Sequence, residues 1–142
     1  MIYLDAAYIA KFYVDEPDSE RVRAFLITTQ IAASCVHAIA EVASVFHRKL
    51  REGIVPQEDF DFFCAQFEAD CDAGLWTWIP TPESLVHAAR RTIRKLPPTI
   101  FLRAADALHL TCAAAEGCTV LYTSDRHMRA AAPAFGLQAV AL

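Results

Sequence analysis

The stretch that decides the fold class is Ile2-Tyr3-Leu4-Asp5-Ala6-Ala7-Tyr8-Ile9-Ala10-Lys11-Phe12-Tyr13-Val14. Its first three residues are apolar and predict a short buried strand, which ends at the carboxylate of Asp5. Residues 7–14 then predict a helix. A strand that ends at an acid and leads directly into a helix is the unit from which α/β folds are built.

The same alternation continues along the chain. Further strands are predicted at residues 31–35, 76–79, 119–123 and 138–141. Two of the helices between them are predicted to have a proline in their first turn, Pro17 and Pro56. Another is predicted to begin with Thr81 as its N-cap and to end near residue 96. The remaining helices are predicted over residues 36–52, 102–116 and 126–132. This order predicts one α/β domain over residues 1–142, with a mostly parallel sheet of about five strands flanked by helices.

The composition excludes intrinsic disorder, because 55% of the residues are apolar. With 13 Lys and Arg against 17 Asp and Glu, the net charge of −4 at first argues against a nucleic-acid partner. However, residues 52–72 hold seven acids and no Lys or Arg, which leaves 13 bases against 10 acids elsewhere. The net charge therefore does not exclude RNA.

Cysteine usage and the N-terminal sequence indicate the compartment. The five cysteines form no Cys-x-x-Cys pair, and no closely spaced His pair suggests a zinc site, so we expect reduced thiols. No basic segment precedes an apolar run at the start, and no apolar run approaches the length of a membrane span. We therefore expect a cytoplasmic protein without membrane association.

Two acids fall where parallel sheets bind ligands, which is beyond the carboxyl ends of the strands. Asp5 ends the first predicted strand, and Asp125 follows the fourth. The chain has only four glycines, too few at these turns for a dinucleotide or phosphate loop, and it lacks a Gly-x-Ser-x-Gly nucleophile motif. The carboxylates are thus the candidate functional groups.

Two more acids, Glu41 and Asp106, lie among apolar residues of predicted helices. A lone buried carboxylate is costly, so each acid either pairs with a cation or belongs to a site. The structural partners would be His37, four residues before Glu41, and Arg103, three residues before Asp106. The spacing alone leaves both alternatives open.

Four motifs occur in order along the chain: residues 2–17 with Asp5, Glu41 in the third helix, Arg103-Ala104-Ala105-Asp106-Ala107-Leu108-His109-Leu110, and Thr123-Ser124-Asp125-Arg126. Together they resemble the PIN-domain ribonucleases, in particular the VapC toxins of toxin–antitoxin pairs. The resemblance implies a metal-dependent endoribonuclease that leaves 5′-phosphate and 3′-hydroxyl ends. It also implies a small cognate antitoxin and a homodimer. Its acidic quartet would be Asp5, Glu41, Asp106 and Asp125.

Physical chemistry is consistent with that role. Two like charges about 4 Å apart repel by roughly 4 kcal/mol at an effective dielectric near 20, so four clustered carboxylates favour a bound cation. Oxygen ligands without His or Cys select Mg²⁺ or Mn²⁺. We expect Asp5 and Asp106 to bind the metal directly, and Asp125 and Glu41 to complete the site directly or through water.

The chain departs from the family pattern after the first acid, where Ala6 and Ala7 replace the usual Ser or Thr. Thr123 or Ser124 could supply the missing hydroxyl from the facing loop. The departure also supports an alternative, a catalytically decayed PIN-like module that binds RNA or protein. A metal-dependent phosphatase is disfavoured, because the chain lacks an Asp-x-Asp pair after its first strand.

Other residues are candidates for binding substrate or partners. Thr123, Ser124, Arg126 and Arg103 are candidate RNA contacts, whereas His109, within an apolar helix, is more typical of a packed core residue. An antitoxin or dimer interface could use apolar residues of the first three helices, with core packing as the alternative for each. These residues are Tyr8, Phe12, Tyr13, Val22, Phe25, Val45 and Phe46.

Overall fold

The computed structural model describes all 142 residues. The strands are β1 (Ile2–Leu4), β2 (Ala32–Cys35), β3 (Trp76–Ile79), β4 (Val120–Tyr122) and β5 (Gln138–Val140). The helices are α1 (Ala6–Tyr13), α2 (Ser19–Ile27), α3 (Ala38–Arg51), α4 (Gln57–Asp72), α5 (Glu83–Ile93), α6 (Ala104–Ala115) and α7 (Arg126–Ala131), and a 3-10 helix spans Ala132–Phe135. None of the helices combines the length and the apolar composition that crossing a membrane would require.

The five strands form one sheet in the order β3-β2-β1-β4-β5, and every neighbouring pair is parallel. The α/β prediction with a mostly parallel sheet of about five strands is therefore confirmed. The apolar sequence of β1 follows from its central position in the sheet, where the side chains of Tyr3 and Leu4 are fully buried.

The strand order places the candidate site. From β1 the chain moves to one side of the sheet through β2 and β3, and it then returns to the other side of β1 through β4 and β5. The order thus reverses between β1 and β4, and ligands of open parallel sheets bind in the crevice at such a reversal. Asp5 and Asp125 lie just beyond these two strands.

An aromatic cluster fills the core between α1, α3, α4 and β3. The ring of Tyr13 packs edge-to-face against Phe46 and Phe67. Its hydroxyl accepts a hydrogen bond from Trp76 Nε1 at 2.7 Å and donates one to Asp70 Oδ2 at 2.9 Å. The acidic helix α4 is therefore held to the sheet through both apolar and polar contacts.

The predicted first-turn prolines lie outside the helices, so these predictions were wrong. Pro56 and Pro82 occupy the N-cap positions of α4 and α5 in extended conformation, and Pro17 precedes the Asp18 N-cap of α2. Thr81 does not cap α5, and its hydroxyl is buried without a hydrogen-bond partner. The physical reason is that the carbonyl groups of Pro56 and Pro82 accept the first helical hydrogen bonds, from Phe60 and Leu85.

Several residues predicted for partner interfaces belong to the core. Tyr8, Tyr13, Val22 and Phe46 are all buried within this chain, so the core alternative is correct for them. Phe12, Phe25 and Val45 are only partly buried.

Candidate metal and active site

The four predicted acids line one cavity of about 380 Å³ at the carboxyl ends of β1 and β4. Asp5 and Asp125 reach it from the loops after these strands, and Glu41 and Asp106 reach it from the first turns of α3 and α6. Acids separated by up to 120 positions in the sequence thus share one concave surface.

Asp5 is held rigidly at the base of the cavity. It is the N-cap of α1, and its Oδ1 accepts a hydrogen bond from the Tyr8 amide at 2.8 Å. Its Oδ2 accepts a hydrogen bond from the hydroxyl of Thr123. Burial raises the pKa of Asp5, and the two hydrogen bonds only partly oppose this rise.

Asp125 caps α7 in a similar way. Its Oδ1 accepts hydrogen bonds from the amides of His127 at 2.6 Å and Met128 at 3.1 Å. Both bonds use the same oxygen, so Oδ2 remains available for a ligand in the cavity.

Asp106 is the acid least satisfied by the protein. Its Oδ2 is buried and has no hydrogen-bond partner. Burial and the negative charge of Asp125 raise the pKa of Asp106, and Arg103 only partly offsets them. No salt bridge joins Arg103 to Asp106, so the structural pair suggested by the sequence is not formed.

Glu41 is paired with a residue that the sequence did not suggest. Its Oε2 accepts a hydrogen bond from His109 Nε2 at 2.7 Å, whereas His37 Nε2 is 3.8 Å away. Burial tends to raise the pKa of Glu41, but the His109 hydrogen bond outweighs it and lowers that pKa. His109 is therefore the principal partner of Glu41, and His37 is a minor one.

His109 is a packed core residue, as predicted, and it also contributes to the cavity. Its side chain is almost completely buried, yet it lines the cavity beside Glu41. Burial lowers the pKa of His109, but hydrogen bonds to Cys35 and Glu41 outweigh burial and raise it to about 10. The imidazole therefore acts as a hydrogen-bond donor that orients the Glu41 carboxylate.

The cavity fits a hard divalent cation. Four carboxylates face it, one of their oxygens is buried without a partner, and the pKa values of Asp5 and Asp106 are raised. A cation that binds oxygen ligands would reduce the repulsion between the carboxylates, give the buried oxygen a partner and lower both pKa values.

Comparison with known proteins gives the family. The family model of the PIN domain matches residues 2–133, which is nearly the whole chain. This chain belongs to the PIN-domain family. The resemblance seen in its sequence is confirmed at the level of the family, although no curated protein is similar enough in sequence to count as a match.

Solved structures share this PIN fold at low sequence identity. VapC20 of Mycobacterium tuberculosis, described as a sarcin-ricin loop cleaving toxin, is 12% identical with a TM-score of 0.72, covering 92% of this chain and 95% of that one. FitAB bound to the IR36 DNA fragment is 16% identical with a TM-score of 0.68, covering 99% and 94%. FitAcB from Neisseria gonorrhoeae is 16% identical with a TM-score of 0.66, covering 98% and 96%.

The candidate RNA contacts divide into three groups in this PIN domain. Ser124 and Arg103 line the cavity. Arg126 is exposed outside the cavity lining, and its Nε lies 3.4 Å from His127 Nε2. Thr123 is fully buried, and its hydroxyl donates a hydrogen bond to Asp5, so it is not exposed at the cavity surface.

One cation of the cavity, Arg48, was not predicted from the sequence. It lies on α3 with Val45 and Glu41, and all three line the cavity. Their spacing of four and three residues places them on one helix face, which was the available signal.

Proposed function

We propose that this PIN domain is a metal-dependent endoribonuclease and the toxin of a type II toxin–antitoxin pair. The observation that supports it most directly is Asp106, whose buried Oδ2 has no partner in a cavity lined by three other acids. A purely structural acid would be expected to pair with a cation of its own chain. VapC20, which shares the fold, is described as a sarcin-ricin loop cleaving toxin.

The metal would be Mg²⁺ or Mn²⁺, held by Asp5, Asp106 and Asp125, with Glu41 binding directly or through a water. When bound, such an ion supplies a water of lowered pKa and stabilises negative charge on the leaving oxygen. The hydrogen bonds to Asp5 and to Asp125 Oδ1 hold these two carboxylates in place before any ligand arrives.

Glu41 would orient the attacking water. His109 holds Oε2 of Glu41, which leaves Oε1 to accept a hydrogen bond from the water. The oxygen of this water forms a new bond to phosphorus as the bond from phosphorus to O3′ breaks. The water loses one proton and O3′ gains one, so the products are a 5′-phosphate and a 3′-hydroxyl.

Two arginines would bind the RNA backbone. Arg48 and Arg103 are exposed side chains at the rim of the acidic cavity. Their charges compensate the repulsion between the acids and an incoming phosphodiester, and guanidinium groups bind phosphate well.

The partners and compartment belong to the same proposal. We infer a small cognate antitoxin, a homodimer and a cytoplasmic location. The five free cysteines agree with a reducing compartment.

The test is cleavage of RNA by the purified protein with Mg²⁺ or Mn²⁺. We expect cleavage to be lost with EDTA and in Asp5→Asn and Asp106→Asn. Asp59→Asn is the matched control, because Asp59 is an exposed acid of α4 outside the cavity. Unchanged cleavage in both site variants would contradict the proposal.

The catalytically decayed module remains the competing hypothesis. Calorimetric titration with Mn²⁺ separates the two, since a decayed site would bind no metal at millimolar concentration. The buried hydroxyl of Thr123 beside Asp5 argues against decay, because it supplies the group that Ala6 and Ala7 lack.

A further inference from the structure

Three potential ligands of a softer metal converge behind Glu41. They are Cys35 at the end of β2, His37 directly before α3, and His109 on α6. Cys35 Sγ lies 3.2 Å from His37 Nε2 and 3.1 Å from His109 Nδ1, and the ligand atoms all lie within 4.8 Å of one another. The sequence did not indicate that His109 joins Cys35 and His37, because it is 74 residues from Cys35.

The chemistry of these ligands suits zinc. Zinc sites with one open position commonly combine three Cys, His or carboxylate ligands, at about 2.3 Å for sulfur and about 2.0 Å for nitrogen. A tetrahedral ion with these bonds holds sulfur and nitrogen about 3.5 Å apart. The observed separations are within a few tenths of an ångström of this value. A thiolate also disfavours Mg²⁺, so the cluster and the acidic cavity select different ions.

The surroundings of His109 match those of a metal-bound histidine. Its Nε2 donates to Glu41 Oε2 at 2.7 Å, and its Nδ1 points to Cys35. Histidines that bind metal through one nitrogen usually donate the other N–H to a carboxylate, which fixes the tautomer and the ring orientation. Glu41 provides that carboxylate.

The three ligands of the cluster are enclosed by the protein except on the side of His37. Cys35 and His109 are buried, and the side chain of His37 is about a quarter exposed. An ion could therefore reach the cluster past His37, and a water could occupy the fourth position. The phenol of Tyr3, 3.2 Å from His109 Nδ1, lies on the closed side.

We propose that Cys35, His37 and His109 form a zinc site that is separate from the acidic cavity and linked to it through the His109–Glu41 hydrogen bond. With zinc on Nδ1, the proton of His109 is fixed on Nε2, where it donates to Glu41. The proposal does not rest on ribonuclease activity, and it concerns a different ion from the one expected between the carboxylates.

The experiment uses the full chain, reduced and freed of metal. Zinc is titrated by calorimetry, and Co²⁺ is titrated in parallel by absorption spectroscopy. Cobalt bound to a thiolate gives an intense charge-transfer band that oxygen and nitrogen ligands do not give. We expect this cobalt band in the wild type and in Asp106→Asn, and one zinc per chain in Asp106→Asn, in which the acidic site is weakened.

Matched variants assign the ligands. Loss of an outer-shell partner weakens metal affinity by about 10–100-fold, so loss of the ligand in His37→Gln should weaken zinc binding by at least about 100-fold. His87→Gln is its control, because His87 is an exposed histidine of α5. Cys35→Ser should abolish the cobalt band, and Cys64→Ser should keep it.

Three results would overturn the proposal: absence of the cobalt–thiolate band, zinc affinity unchanged in His37→Gln, or zinc binding lost in Asp106→Asn. If Cys35→Ser does not fold, His37→Gln still decides, since the side chain of His37 is about a quarter exposed.

Discussion

The hydroxyl of Thr123 donates a hydrogen bond to Oδ2 of Asp5 and joins the residues that follow the two central strands, β4 and β1. The hydroxyl oxygen of Thr123 in turn accepts a hydrogen bond from the amide of Asp125 at 2.9 Å. One buried hydroxyl therefore connects two of the four acids, and it fixes their relative position through the fold alone.

Replacement of this hydroxyl should destabilise the protein. In Thr123→Val the buried Asp5 loses one of its two hydrogen bonds at nearly constant side-chain volume, and we expect a loss of about 1–3 kcal/mol in the free energy of unfolding. Thr123→Ser keeps the hydroxyl and should be the milder variant. Urea denaturation of both measures the difference, and equal midpoints would show that the hydrogen bond is energetically neutral.

Asp106 should destabilise the metal-free protein and stabilise the protein when metal is bound. Without metal, Asp106→Asn removes a negative charge that faces Asp125, and we expect it to raise the melting temperature by about 4 °C, equivalent to about 1 kcal/mol after solvent screening. With Mn²⁺, the wild type should gain stability and the variant should not. Thermal unfolding in EDTA and in Mn²⁺ measures both effects. A lower melting temperature for the variant in EDTA would contradict the repulsion argument.

Metal affinity should fall as the pH falls. Burial raises the pKa of Asp5, and burial together with the charge of Asp125 raises that of Asp106, both from an ordinary value of 3.8. When the pKa of a carboxyl is higher in the folded than in the unfolded protein, the group contributes most stability at a pH below the unfolded-state pKa. This stability is lost as the pH rises through the folded-state pKa. A metal ion binds the ionised carboxylates, so metal affinity should decrease as the pH falls from the folded-state pKa towards the unfolded-state pKa. In the same pH range, metal binding should release protons.

Calorimetry in two buffers of different ionisation enthalpy counts these protons. Fewer should be released in Asp106→Asn than in the wild type. Binding that is independent of both pH and buffer would place the ion away from these carboxylates.

Arg48 should contribute to RNA binding rather than to the chemical step. We expect Arg48→Ala to raise KM more than it lowers kcat, and to reduce the slope of log affinity against log salt by about 1. Arg51→Ala is the control, because Arg51 lies in the last turn of the same helix, is exposed and does not line the cavity. Equal effects of the two variants would indicate a general charge effect.

The sequence was sufficient to predict the sheet and the acids. Asp5 and Asp125 follow apolar strands, and the carboxyl ends of parallel strands meet at one edge, so their proximity follows from the pattern. Glu41 and Asp106 were singled out because carboxylates are costly in apolar helices without a partner, but only the resemblance to PIN domains implied that they belong to the site.

The hydrogen-bond partners of these acids could not be predicted in the same way. His37 is near Glu41 in the sequence, but His109, 68 residues away, makes the shorter contact, because α6 packs against β2 and brings the imidazole between Cys35 and Glu41. Tertiary packing, rather than spacing along one helix, decides such pairs.

The hydroxyl of Tyr13 should be important for stability independently of any activity. It accepts from Trp76 Nε1 and donates to Asp70, and both Tyr13 and Trp76 are buried. Tyr13→Phe leaves the indole N–H without an acceptor, and we expect a loss of about 1–3 kcal/mol in the free energy of unfolding. Trp76→Phe removes the donor, so the double variant should cost less than the sum of the single variants. Urea denaturation of the three variants completes the cycle, and strict additivity would show that this hydrogen bond contributes no coupling energy.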